Sequence, residues 1–176
     1  QQELGKWNAI SYSSNLLPQY EFIGKGNPPK ALADFKGMRV RAIGGIGDAM
    51  KNIGAVPTSV PATEVYTSLE RGAVDAVSFP STYAHASYKV HEIGSWFTTN
   101  LAPGTQACPT LINRNAWAQI PPQYQKLFEE VRPNVKAALV AAYSKADERN
   151  IPLFKRRLTF ITYPASELES FRKVGA

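Results

Sequence analysis

The stretch from Met38 to Phe79 constrains the fold more than any other part of the chain. It alternates strand-like and helix-like segments with very short links. Met38–Ile43 reads as a strand, Gly47–Ile53 as a short helix, Val56–Val60 as a strand, Thr63–Arg71 as a helix and Val74–Phe79 as a third strand. Gly54 and Gly72 follow the two helices, as the left-handed closing position of a helix favours. Thr63 suits the N-cap of the second helix. The order is βαβαβ, and right-handed crossovers then predict an α/β fold with a parallel sheet and helices on its faces.

The rest of the chain is less regular. Asn8–Ser14 and Tyr20–Gly24 read as strands, and the run GKGNPPKAL from Gly24 to Leu32 is a loop. Tyr83–Ile93 is helical, Trp96–Thr99 and Pro109–Asn113 are strands, and a short helix opens at Asn115. A long helix starts at Pro121-Pro122, with apolar residues at Leu127, Phe128, Val131, Val135, Ala138, Leu139, Ala142, Tyr143 and Ala146 in helical spacing. Pro133 lies inside it and predicts a kink. Leu158–Thr162 is a strand, and Ser166 with Glu169 forms a capping box for a final helix.

Composition narrows the function classes. With 176 residues, 44% of them hydrophobic, the chain suits one domain or two small lobes. The net charge of +6 favours anionic partners. The basic residues are scattered, however, and the densest run, Lys155-Arg156-Arg157, reads as a solvated helix end. Without a basic stripe interleaved with aromatics, no nucleic-acid partner is expected. Cys108 is the sole cysteine. It rules out an internal disulfide, and a buried structural role is expected for it.

Cofactor and catalytic signatures are equally sparse. Gly45-Ile46-Gly47 follows a strand and precedes a helix, but Met50 stands where a dinucleotide fingerprint needs its third glycine. His85 and His91 are six residues apart, which puts them on different helix faces and argues against a metal site. Glu129-Glu130 sits on a helix surface, and no nucleophile constellation or acid–base pair is visible. No cofactor is expected. No segment is apolar and long enough for a bilayer span, and no signal peptide is expected within these residues. The opening Gln-Gln-Glu-Leu-Gly-Lys reads as the middle of a helix, as in a processed or truncated chain.

Arg41 is the residue that most needs an explanation. Strand alternation puts Arg39 and Arg41 on one face, and strands of a parallel sheet are ordinarily apolar on both faces. Arg41 lies near the carboxyl end of its strand, where open α/β sheets place their ligands. A guanidinium forks onto a carboxylate through two parallel hydrogen bonds. The alternative is an ion pair with Asp75 or Glu64. The strand Val74–Phe79 ends in the same crevice and continues into Pro80-Ser81-Thr82-Tyr83. Phe79 and Tyr83 could stack on a ligand, while Ser78, Ser81 and Thr82 could donate hydrogen bonds. Core packing is the alternative for Phe79.

Several segments together resemble a known family. Ala33-Asp34-Phe35-Lys36-Gly37-Met38-Arg39-Val40-Arg41 is similar to the D-[LM]-K-G-x-[KR]-[IVL]-R segment of solute-binding proteins of tripartite ATP-independent periplasmic (TRAP) transporters. Gly54-Ala55-Val56-Pro57, Pro61, Glu64-Val65-Tyr66-Thr67-Ser68-Leu69 and Gly72-Ala73-Val74-Asp75 resemble that family's next run. Asn113-Arg114-Asn115-Ala116-Trp117 and Leu127-Phe128 continue the pattern. The likeness extends over about residues 8–176 and is densest over 33–80.

The resemblance implies a periplasmic-binding-protein-like bilobed fold that closes on a small organic anion and delivers it to a TRAP membrane permease, without catalysis. It also implies that Arg41 pairs with the ligand carboxylate. Family members begin with a first lobe upstream, so most of that lobe is expected to be absent. Residues 1–33 would then be the end of lobe 1 and the hinge. Residues 34–95 would form the core of lobe 2, 96–120 the crossing strands, and 121–176 the long helix and C-terminal elements. An apolar face left open by the absent lobe could drive self-association. Better-known acid binders carry a Q-E-N-P-like run where this chain has Ala76-Val77-Ser78-Phe79-Pro80. Some have a second arginine where Tyr20-Glu21-Phe22 stands. These departures imply an aromatic or otherwise less polar carboxylate, held by Arg41 and packed on Phe79 and Tyr83. A ligand-sensing regulatory domain of the same fold is the alternative function, and a small enzyme with an arginine-anchored substrate is a third.

Overall fold

The structure is a computed structural model and describes residues 2–175. In chain order the elements are α1 (Gln2–Lys6), β1 (Ala9–Leu16), β2 (Tyr20–Gly24), a 3₁₀ turn (Leu32–Phe35), β3 (Arg39–Arg41), α2 (Gly45–Asn52), β4 (Val56–Thr58), a second 3₁₀ turn (Ala62–Glu64) and α3 (Val65–Glu70). There follow β5 (Ala76–Pro80), α4 (Tyr83–Ser87), α5 (Val90–Ile93), β6 (Trp96–Thr98), β7 (Ala107–Asn113), α6 (Arg114–Gln119), α7 (Pro122–Lys155), β8 (Thr159–Ile161) and α8 (Ala165–Gly175). The chain divides into two compact units. One comprises residues up to 17 and 106–145, the other residues 18–105 and 146 onward.

The larger unit is built on a six-stranded sheet in the order β4-β3-β5-β2-β6-β8. β3 runs parallel to β4 and β5, so the βαβαβ unit expected from the sequence is present. The sheet as a whole is mixed rather than parallel, because β2 is inserted antiparallel between β5 and β6. The handedness rule applies to strands joined by crossover helices. β2 leads into the unit through an irregular segment holding a single 3₁₀ turn, so the rule does not reach it. β4 is an edge strand, which is why Pro57 is tolerated there. On one face Ile23, Val65, Leu69, Val77, Phe79, Val90, Phe97 and Phe154 form a continuous buried cluster. Phe22, Phe35 and Trp96 form an aromatic row elsewhere in the core.

Local differences from the sequence reading have local causes. Pro61 opens the 3₁₀ turn, so the helix expected from Thr63 begins at Val65, without a side-chain cap. The helix expected over Tyr83–Ile93 breaks at Lys89, which adopts a left-handed φ of 57°.

The smaller unit pairs β1 with β7 as an antiparallel ribbon, with α1, α6 and part of α7. Asn113 caps α6 by accepting hydrogen bonds from the N–H groups of Asn115 (2.9 Å) and Ala116 (3.1 Å). Tyr12, Trp117 and Phe128 form an aromatic cluster, and the Tyr12 hydroxyl donates to the Phe128 carbonyl. Leu127, Val131, Val135 and Val140 on α7 are exposed, as are Leu16 and Leu111 on the ribbon. Cys108 is also exposed, contrary to the buried role expected for it, because it sits on β7 of this two-stranded ribbon. Glu129 and Glu130 lie on the helix surface in ion pairs with Arg132 and Lys126. Despite its length, α7 is not apolar enough to cross a membrane.

Candidate functional site

The site lies at the carboxyl ends of β3 and β5. Arg41 pairs with Val77 in register, and Phe79 pairs with Glu21, so Arg41, Val77, Phe79 and Glu21 share one sheet face. Beyond Arg41 the chain must turn sharply into α2. Gly44 makes that turn at a φ of 55°, a backbone state that a side chain disfavours. Gly47 brings the first turn of α2 close to the strand. A Cβ there would stand 3.1 Å from the Ala42 carbonyl oxygen and 3.4 Å from the Pro57 Cβ.

Arg39 and Arg41 meet different fates on the same face. Arg39 is largely exposed and takes Asp75 in a two-pronged ion pair, Nη2 to Oδ1 at 2.6 Å and Nε to Oδ2 at 3.0 Å. The Arg39 backbone N–H adds a third bond to Asp75 at 2.8 Å. Hydrogen bonding to Arg39 holds the Asp75 carboxyl below the usual carboxylate range. Asp75, one of two acids that could have neutralised Arg41, is therefore engaged elsewhere.

Arg41 is 4% exposed. Its Nε donates to the Val60 carbonyl at 3.0 Å and its Nη1 to the Ser78 carbonyl at 3.0 Å. Its guanidinium carbon stands 4.8 Å from the centroid of the Phe79 ring. Such a cation–π contact is worth about 0.5–2 kcal/mol. Among the described residues no carboxylate pairs with Arg41. Burial lowers its pKa, and the phenols of Tyr20 and Tyr88 partly offset this. A buried cation with no acidic partner is costly, and it favours any anion that can reach it.

The other residues singled out in the sequence fall into two groups. Ser78 and Phe79 belong to the support of Arg41. The Ser78 hydroxyl donates to the Arg41 carbonyl at 2.9 Å, and Phe79 is 5% exposed beneath the guanidinium. Ser81 and Thr82 turn toward α7 instead. Their hydroxyls donate to Asp147 Oδ1 at 2.8 Å and 2.5 Å, and Asn150 donates to Thr82 Oγ1 at 3.3 Å. Tyr83 is half-buried and packs against the apolar cluster.

Three further residues lie against Phe79 or beside it in the sheet, and the sequence reading assigned none of them to the candidate site. Tyr88 stacks on Phe79 with ring centroids 5.1 Å apart. His85 is fully buried, meets Phe79 edge-on at 5.5 Å and bonds through Nε2 to the Glu21 carbonyl at 3.1 Å. Its Nδ1 has no hydrogen-bond partner. Burial pushes the imidazole pKa down to about 3. The buried Glu21 carboxylate accepts bonds from the Thr98 hydroxyl (2.5 Å), Leu101 N–H (3.2 Å) and Ala102 N–H (3.1 Å). Burial outweighs these bonds and pushes its pKa up to about 7. A lone histidine and a strand-borne glutamate in sequence carry no signal of this environment, which arises only when β2 is placed against β5.

The chain is similar to known proteins over most of its length. The profile of DctP, bacterial extracellular solute-binding protein, family 7, matches residues 19–176. A curated relative, the monocarboxylate 2-oxoacid-binding periplasmic protein of Nostoc sp., is 28% identical over 118 residues, covering 65% of this chain and 32% of its own length. Among solved structures, a TRAP periplasmic solute-binding protein from Rhodoferax ferrireducens with bound malonate superposes with a TM-score of 0.85 at 18% identity, covering 99% of this chain and 56% of that one. A homologous protein from Desulfovibrio salexigens with bound orotic acid gives 0.86 at 21% identity, with coverage of 99% and 56%. One from Pseudomonas aeruginosa PAO1 with bound L-malate gives 0.82 at 16%, with coverage of 98% and 62%. The chain thus spans about a third of the curated relative's length and somewhat over half of these structures.

Proposed function

The chain belongs to bacterial extracellular solute-binding protein family 7, a family of non-enzymatic periplasmic proteins of TRAP transporters, and from that premise we propose that it binds a small organic acid through Arg41 for delivery to a membrane permease. The observation that carries this reading is the buried Arg41 guanidinium, held by two backbone carbonyls and an aromatic ring, with no carboxylate paired to it among the described residues. With Nε committed to Val60, a carboxylate would be met end-on, through the remaining hydrogens of Nη1 and Nη2. Ser78 and Phe79 would fix the guanidinium rather than touch the ligand's polar groups. The ligands of the four relatives described above, a 2-oxoacid, malonate, orotic acid and L-malate, carry carboxylates and support the same chemistry.

A thermal-shift panel of aliphatic and aromatic carboxylates, with Arg41→Ala in parallel, tests the proposal. A ligand at a hundred times its dissociation constant stabilises the folded protein by about 2.7 kcal/mol. The expected result is a rise in Tm with at least one acid that disappears in the variant. An equal rise in the variant would refute the role of Arg41.

A further inference from the structure

The exposed aromatic ring that stacks on Phe79, the ring under Arg41, belongs to Tyr88. Phe79 is buried beneath the guanidinium, and Tyr83 is half-buried against the apolar cluster. Tyr88 lies nearly parallel to Phe79, at an interplanar angle of 11°, yet 37% of it is exposed. Its backbone is held at the end of α4, where its N–H donates to the Ala84 carbonyl at 2.9 Å. The next residue, Lys89, is left-handed and turns the chain into α5. The ring is thereby fixed from two sides, by the backbone turn and by Phe79.

We propose that Tyr88 is the specificity-determining residue of the Arg41 site: its exposed, Phe79-backed ring forms a flat wall that selects a monocarboxylate with a planar apolar substituent over a small dicarboxylate. This rests on the reading of Arg41 as the carboxylate anchor. One carboxylate satisfies the guanidinium. A planar apolar substituent stacks on the ring and leaves water. A second carboxylate against the same wall would lose hydration without gaining a cation.

Calorimetric titration with benzoate, acetate and malonate, on the parent, Tyr88→Phe, Tyr88→Ala and Arg41→Ala, tests this. The parent should bind benzoate about tenfold more tightly than acetate, the ratio expected of one good aromatic contact, and malonate more weakly than benzoate. Tyr88→Phe should keep the benzoate-to-acetate ratio. Tyr88→Ala, with its fold checked by circular dichroism, should bring that ratio close to one. A ratio unaltered in Tyr88→Ala, a parallel loss for both acids, or a parent that prefers malonate overturns the role of Tyr88. If those results come with binding that still depends on Arg41, the anchor survives and only the Tyr88 inference falls. A parent that binds none of the three acids overturns this inference, and failure across the wider carboxylate panel is what would overturn the anchor.

Discussion

The two ends of β3 carry the same side chain on the same face and use it in opposite ways. At the amino end, Arg39 is exposed and saturated by Asp75. At the carboxyl end, two residues on, Arg41 is buried and has carbonyls and a ring but no acid. An exposed ion pair of the first kind contributes little, because water and salt screen it. A buried cation of the second kind is destabilising until an anion arrives. The difference supports the proposal that the carboxyl end of the strand meets a ligand, while Arg39 at the other end is engaged within the fold.

The comparison can be sharpened first by pH, where the largest effects are expected. His85 stays neutral in the folded state down to about pH 3, whereas an ordinary histidine takes up a proton near 6.5. The unfolded chain therefore binds more protons in this window, and stability from His85 is lost as pH falls through it. Glu21 has the opposite sign. Folded, it keeps its proton up to about pH 7 against an ordinary 4.5, so its contribution is complete below 4.5 and lost as pH rises toward 7. Between pH 4.5 and 6.5 the two slopes offset each other, and each pH unit of such a slope is worth about 1.4 kcal/mol. Urea denaturation across pH should show His85→Leu gaining stability from pH 7 to 4.5. Glu21→Gln should lose it steadily from pH 6.5 downward. Parallel profiles for both variants would remove this account of the Arg41 end.

The next effect is at Thr82. Its hydroxyl is spent on Asp147, so Thr82→Val should cost about 1–3 kcal/mol of stability in urea melts. Carboxylate affinity should hold, and a loss of affinity without a loss of stability would return Thr82 to the ligand contacts. Smaller still is Arg41→Met without ligand. Replacing an unpaired buried cation by an apolar chain of similar length should leave Tm unchanged or raise it, and a large fall would mean that Arg41 is structural. The smallest effect belongs to the other end of the strand. Arg39→Ala should lower Tm slightly, and less so at high salt.

Much of the larger unit was legible in the sequence. The βαβαβ run followed from alternation, short links and closing glycines, and those signals are local. The antiparallel insertion of β2 was not legible, because nothing in Tyr20–Gly24 says which strands it lies between. Arg41 could be picked out as a candidate because a charge on a parallel strand violates a strong rule. Tyr88 could not, because a tyrosine past a short helix gains meaning only when it stacks on Phe79. Ser81 and Thr82 read as hydrogen-bond donors, and donors they are, but their acceptor is Asp147, some sixty-five positions along the chain. In the smaller unit the helical apolar spacing of α7 was legible, whereas its exposure depends on what packs against it and left no trace in the periodicity.

The most direct test of the central claim is a side-by-side calorimetric titration of the parent, Arg39→Met and Arg41→Met with the carboxylate that gives the largest thermal shift. Parent-like affinity in Arg39→Met with no measurable binding in Arg41→Met is the predicted result. Equal loss in both variants, or parent-like binding in Arg41→Met, would contradict it.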